Sequence, residues 1–131
     1  MQTKQTYSKE GKMKKIFCIA AILLMLAGSA WGIEWNRHSE QTATAAITTA
    51  SGYFGGVILA TDGTNNVTIS VYDNASAASG TKLLPTTVVT TSAANRSTAI
   101  DVNPAVRFYN GIYVEITCAG TVTYHVHYVN D

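Results

Sequence analysis

The chain has 131 residues, which predicts one domain, and its nine lysine and arginine residues against eight acidic residues give a formal net charge of +1. This charge is unevenly distributed: residues 1–32 contain five lysines and one glutamate, whereas residues 33–131 contain four basic and seven acidic residues. The larger part is therefore negative and lacks the basic surface that a nucleic-acid or phosphate partner requires. We expect no nucleic-acid partner.

The first 32 residues have the order of a secretory signal peptide. Lys14-Lys15 precedes an uncharged apolar run at residues 16–27, and the small residues Ala30 and Gly32 follow it. The run is shorter than the roughly 20 apolar residues of a membrane span. A lipoprotein would need a cysteine at the cleavage site after the run, whereas Cys18 lies at the start of the run. We therefore expect cleavage after Gly32, a secreted, periplasmic or extracellular protein, and no membrane association after cleavage.

The remaining residues predict an all-β domain. Threonine, valine, isoleucine and tyrosine are frequent, and short alternating stretches are separated by Gly, Asn, Asp and Ser. No stretch shows a sustained helical period. The pattern favours a small antiparallel β-sandwich or jelly-roll-like domain behind an N-terminal signal helix. Residues 33–50 are predicted to be an N-terminal arm or first strand, and residues 51–131 the sandwich.

The predicted strands follow one another closely along the chain. They cover residues 42–49, 53–61, 67–72, 82–84, 87–91, 98–102, 105–108, 112–117 and 121–130. Gly55 and Gly56 predict a bulge in the second of these strands. Pro85 is predicted to end a strand, and Pro104 to mark a corner between two strands.

Glycines in the last two loops predict how the final three strands pair. A three-residue loop with Gly111 in a left-handed conformation pairs Phe108 with Ile112. The same loop type at Gly120 joins the next two strands, so the three strands would form a meander. Its inner face is apolar. Its outer face carries polar and aromatic side chains, namely Arg107, Tyr113, Glu115, Thr123, His125 and His127.

This outer face contains the candidate interaction surface, composed of Arg107, Tyr113, Glu115 and His125. The simpler interpretation is that these side chains stabilise the sheet as cross-strand pairs, each by about 1 kcal/mol or less. His125 and His127 lie two residues apart on one strand, so both imidazoles can reach one metal ion. Glu115 or His38 could supply a third ligand, but two solvated histidines on an exposed strand face are the favoured interpretation.

The sequence contains no recognisable catalytic motif. Cys118 is the one cysteine after residue 32, which excludes a disulfide within that part, and it is predicted to be an exposed free thiol in a turn. No neighbouring base would activate it as a nucleophile. The segments at residues 62–66 and 73–74 are rich in oxygen, as calcium loops are, but they are also ordinary turn sequences. We predict no catalytic residue, no cofactor and no enzymatic activity.

Two stretches resemble a known group of proteins. Residues 71–82 (VYDNASAASGTK) and 108–124 (FYNGIYVEITCAGTVTY) are similar to small β-sandwich proteins encoded among tailed-phage structural genes. Those proteins are thought of as head- or tail-associated accessory proteins. The resemblance implies a sandwich fold and a structural role, and no functional residues accompany it. Together with the export signal, it implies a domain of this type used at a cell surface.

The leading hypothesis is an exported, non-enzymatic structural or surface-interaction module with a protein partner, either itself or a surface protein. A homo-oligomer or surface filament would arise if residues 33–50 added as a strand to a neighbouring subunit. The alternative is a carbohydrate- or metal-binding module that uses Tyr113 and His125.

Overall fold

The computed structural model describes residues 35–131, and the predicted signal peptide and its cleavage site lie outside this part. The described residues form eight strands: β1 (Asn36–Arg37), β2 (Ala45–Thr48), β3 (Gly52–Thr61), β4 (Val67–Asp73), β5 (Lys82–Val89), β6 (Ser97–Phe108), β7 (Ile112–Cys118) and β8 (Val122–Asn130). They make two four-stranded antiparallel sheets. The first sheet has the order β1-β8-β3-β6 and the second β2-β7-β4-β5. The sheets pack against each other, so the predicted small β-sandwich is confirmed.

Alternating side chains of both sheets build the core. Each large apolar side chain that is buried there contributes roughly 1.5–3 kcal/mol relative to the exposed state. The fully buried members come from five strands: Phe54, Val57 and Leu59 of β3, Val67, Ile69 and Val71 of β4, Phe108 of β6, Ile112 and Val114 of β7, and Tyr124 and Val126 of β8.

Both prolines lie inside strands, where strand ends and corners had been predicted. β5 continues through Pro85 and β6 continues through Pro104. Each is the outermost strand of its sheet, where a missing N–H can be tolerated. The register with the neighbouring strand shifts beside each proline. The four short strands predicted at residues 82–84, 87–91, 98–102 and 105–108 are therefore two long ones.

The predicted C-terminal meander is wrong. β6 and β8 belong to the first sheet, whereas β7 lies between β2 and β4 in the second. Residues 109–111 and 119–121 therefore carry the chain from one sheet to the other, and neither loop closes a hairpin. Gly111 does have the expected positive φ, 118°. The inward face was predicted correctly for Phe108, Ile112 and Tyr124, which are buried, while Val106 at the sandwich edge is 37% exposed.

The predicted bulge at Gly55 and Gly56 is confirmed. Pairing between β3 and β6 stops at Asp101 and resumes at Val106. The four residues between them, 102–105, face a single residue of β3, Gly55. These four residues leave the hydrogen-bonded ladder, and Val102, Asn103 and Ala105 among them line the depression described below.

The N-terminal arm folds onto its own domain. β1 pairs with β8, and β2 pairs with β7. Between them, Gln41 exchanges backbone hydrogen bonds with Tyr124, and the hydroxyl of Tyr124 donates to the carbonyl of Ala43 at 2.7 Å. Addition of this arm to a neighbouring subunit stays a prediction, and it would require these bonds to break.

Candidate interaction surface

The structure divides the predicted interaction surface between two opposite faces of the sandwich. Arg107 and His125 belong to β6 and β8 of the first sheet, whereas Tyr113 and Glu115 belong to β7 of the second. The predicted cross-strand row of Arg107, Tyr113 and His125 is therefore wrong. The error follows from the meander, because a strand assigned to the wrong sheet takes its outward side chains to the wrong face.

Contacts on the outer face of the second sheet tie neighbouring strands together. The hydroxyl of Tyr72 donates to Glu115 Oε2 at 3.0 Å, and Lys82 Nζ lies 5.3 Å from the centre of the Tyr72 ring. Tyr113 is the cross-strand neighbour of Tyr72. These pairs join β4 to both of its neighbours, which favours a stabilising role for Tyr113 and Glu115.

The two histidines of β8 have different surroundings. Nδ1 of His125 lies 3.0 Å from the carbonyl oxygen of His38, and Nε2 lies 3.9 Å from the carboxylate of Glu40. His125 therefore contacts the N-terminal arm. His127 lines a depression near Gly55. Among residues 35–131, no three His, Cys, Asp or Glu side chains are grouped closely enough to hold a metal ion.

Cys118 lies in a strand, whereas the sequence predicted an exposed turn. It is the last residue of β7, and its half-buried side chain packs against the core. Its sulfur accepts a hydrogen bond from the backbone N–H of Gly120 at 3.4 Å. This inward orientation makes the thiol less accessible than predicted.

The aspartates of the two oxygen-rich segments hold nearby loops in place through hydrogen bonds to backbone N–H groups. Asp62 accepts hydrogen bonds from the backbone N–H groups of Thr64 (2.9 Å), Asn65 (3.3 Å) and Thr121 (3.2 Å). The hydrogen bonds from Thr64 and Asn65, chiefly the one from the Thr64 backbone, hold the pKa of Asp62 well below its usual range. Asp73 similarly accepts from two successive N–H groups of the loop after β6. Carboxylates occupied by N–H donors favour the turn interpretation over a calcium site.

An aromatic and cationic cluster lies at one end of the first sheet. The guanidinium of Arg107 donates to the hydroxyl of Tyr53 at 3.0 Å and to Asp131 Oδ2 at 2.7 Å. Its carbon lies 4.9 Å from the ring centre of Tyr53 and 5.3 Å from that of Tyr109. The hydrogen bond to Tyr53 raises the pKa of Arg107 above its usual value. We call Tyr53, Arg107, Tyr109 and Asp131 the arginine patch.

A depression of about 290 Å³ lies on the first sheet at the β3 bulge. The indole of Trp35 rests on Gly55, where a Cβ would stand 2.5 Å from Cζ3 of the ring. Tyr53 and Gly55 are two residues apart on β3, so the depression and the arginine patch share a face. The residues lining the depression are Trp35, Gly55, Asp101, Val102, Asn103, Ala105 and His127.

Sequence reasoning missed most of this face. Of the residues that form it, only Arg107 and His127 were named from the sequence as candidate site residues, and Gly55 was named only as part of a bulge. Trp35, Tyr53 and Tyr109 carry the three large aromatic side chains exposed among residues 35–131. The available signal was the Gly55-Gly56 pair, because a glycine inside a strand often marks a close approach by another group.

Comparison of the chain with known protein families, curated proteins and solved structures finds no match. The resemblance to phage accessory proteins accordingly stays a sequence prediction. Within the described part of the chain, no helix has the length and apolarity needed to cross a membrane.

Proposed function

We propose that the domain is an exported, non-enzymatic surface-interaction module that binds a protein partner through the arginine patch. The observation that carries the proposal is the contact of one guanidinium with two exposed aromatic rings. Tyr109 is 69% exposed and Tyr53 is 42% exposed, and both rings lie within 5.3 Å of the Arg107 guanidinium carbon. Tyrosine and arginine are enriched in the residues that dominate protein–protein binding energy.

The patch is held in place before any partner arrives. Arg107 is fixed by Tyr53 and Asp131, and Asp131 also accepts a hydrogen bond from the hydroxyl of Ser51 at 2.7 Å. Immobilising a free side chain on binding costs about 0.5–1.5 kcal/mol. Prior ordering of Arg107 reduces that cost and favours a role in recognition.

A second copy of the chain is the partner that the patch fits. Arg107 and Asp131 present opposite charges side by side. In a two-fold symmetric contact, the same surface of each copy meets the other, so the cation of one can approach the carboxylate of its mate. The patch is thus self-complementary in charge.

The sheet edges are poorly suited to the strand-addition alternative. β5 and β6 carry Pro85 and Pro104 with register shifts, and β1 and β2 have only two and four residues. Prolines, bulges and short edge strands are the features by which proteins discourage edge-to-edge pairing. A contact through the face is therefore favoured over a filament built through edges.

Sedimentation velocity of residues 33–131 over a wide concentration range tests this proposal. The wild-type domain should associate, and the Tyr53→Ser/Tyr109→Ser variant should stay monomeric. Val88→Ser is the matched control, because Val88 is 61% exposed but belongs to β5 of the second sheet. A wild-type domain that stays monomeric throughout, or a patch variant that associates as well as the control, contradicts the proposal.

A further inference from the structure

We infer that the depression beside Trp35 binds one neutral pyranose ring of a glycan. This site goes beyond the proposed function and is separate from the arginine patch, so either can fail alone. The inference rests on the juxtaposition of an indole wall with the side chains of Asp101, Asn103 and His127 around one open space. Each of these features has a cause in the fold.

The shape of the depression comes from the β3 bulge. Gly55 has no side chain, and this leaves room for the indole of Trp35 directly above the strand. On the other side, residues 102–105 of β6 have left the ladder and stand beside Gly55. The result is a concavity lined by the ring of Trp35 together with polar and small apolar residues of β6 and with His127 of β8.

The lining has the chemistry of a hydroxyl-rich ring compound. A pyranose presents apolar C–H groups on its faces and hydroxyls that donate and accept around its rim. The indole supplies the apolar surface, the carboxylate of Asp101 accepts hydrogen bonds, and the amide of Asn103 both donates and accepts. An apolar wall with a few convergent polar groups is the usual composition of a small-molecule site.

The charge of the lining disfavours an anionic ligand. Among the described side chains that line the depression there is no lysine or arginine, and the carboxylate of Asp101 would repel a phosphate or carboxylate. A cationic ligand could contact the Trp35 ring and the Asp101 carboxylate. A cation is therefore the competing occupant, and the experiment below tests for it.

The size and openness of the depression set the expected affinity. About 290 Å³ lies at the lower limit of the roughly 300–1,000 Å³ typical of ligand pockets, which suits a single sugar unit. The open side leaves the neighbouring units of a glycan in solvent. A ligand of this size with one stacking wall predicts a dissociation constant on the order of 1 mM.

Trp35 provides a direct readout, because it is the one tryptophan in residues 33–131. We would titrate this domain, which contains all eight strands, with glucose, galactose, mannose, N-acetylglucosamine, maltose and cellobiose, and with choline as a cationic probe. Indole fluorescence and amide NMR shifts would be followed. At least one sugar should give a saturable change, with the shifts concentrated at Trp35, residues 101–105 and His127.

Variants then assign the binding to the depression. Asp101 and Asn103 are exposed, so Asp101→Ala and Asn103→Ala should fold normally and weaken sugar binding at least fivefold. Val88→Ser, on β5 of the second sheet, is the matched control and should bind sugar as the wild type does. The inference is overturned if none of the sugars saturates, if choline binds in their place, or if the Asp101 and Asn103 variants bind as tightly as the control.

Discussion

The carboxylate of Asp62 occupies the space that a side chain at Gly120 would need. A Cβ at residue 120 would stand 1.9 Å from Asp62 Oδ2 and 2.6 Å from Asn65 Nδ2. From this position Asp62 accepts the N–H of Thr121 and ties the turn after β3 to the loop between β7 and β8. Asp73 makes the equivalent link from the end of β4 to the loop between β6 and β7. The two crossing loops at residues 109–111 and 119–121 are thus each held by one aspartate.

Gly120→Ala should lower the melting temperature, because its methyl group displaces the Asp62 carboxylate and breaks the bond to Thr121. The exposed neighbour provides a control: Ala119→Ser should leave the melting temperature close to that of the wild type. Thermal unfolding of Asp62→Ala and of the double variant completes a cycle. The double variant should be no less stable than Asp62→Ala alone, and additive losses would show that the two residues act independently.

Asp62→Asn should reduce the acid sensitivity of the fold. The folded-state pKa of Asp62 lies well below its usual range, while the unfolded value is about 3.9. The stabilisation is therefore fully present above that unfolded pKa and disappears as the pH falls through the folded pKa. In urea unfolding, the gap between wild type and Asp62→Asn should be constant from about pH 5 to 7 and shrink below about pH 4. A gap that does not change with pH argues against this role.

Asp73→Ala should destabilise the domain by about 1–2 kcal/mol. Its carboxylate accepts from Tyr109 N at 3.0 Å and from Asn110 N at 2.7 Å, and these bonds hold the crossing loop after β6. Asp101→Ala, which also removes a negative charge but lies exposed on β6, should cost much less. Chemical denaturation of both variants makes the comparison, and equal losses would assign the effect to net charge instead of the loop.

The inward-facing residues could be predicted from the sequence because alternation reflects burial directly. Phe108, Ile112 and Val114 are fully buried, as their spacing indicated. The partner of each strand could not be predicted in the same way. A three-residue loop between two apolar strands fits a hairpin and a crossing between sheets equally well. Which of the two forms depends on contacts with residues far along the chain, such as the hydrogen bonds to Asp73.

The candidate sites depended on that missing information. Arg107 was correctly placed on an outer face, but its partners Tyr53 and Asp131 come from other parts of the chain. The position of Trp35 above Gly55 depends on the arm folding back along β8. The alternation of side chains predicts which face of a strand is exposed to solvent. It does not predict which residues from distant parts of the chain lie next to that face.

Tyr124→Phe should weaken the attachment of the N-terminal arm. The Tyr124 ring is buried in the core, and its hydroxyl donates to the carbonyl of Ala43 at 2.7 Å. Removing the hydroxyl preserves the packing and deletes this bond, which predicts a loss of about 0.5–1.5 kcal/mol. Tyr128→Phe is the matched control, since Tyr128 is also buried and its hydroxyl makes no hydrogen bond within residues 35–131. Urea unfolding should show the larger loss for Tyr124→Phe.

The same pair of variants should differ in alkaline solution. Burial raises the pKa of Tyr124 above its ordinary value, which is about 10 in the unfolded chain. Because the folded pKa is the higher one, the stabilisation is fully present below the unfolded pKa and is lost as the pH rises through the folded pKa. The wild type and Tyr128→Phe should therefore lose stability more steeply above about pH 10 than Tyr124→Phe. Parallel curves for all three proteins would contradict this expectation, because Tyr124 would then ionise as readily in the folded state as in the unfolded chain.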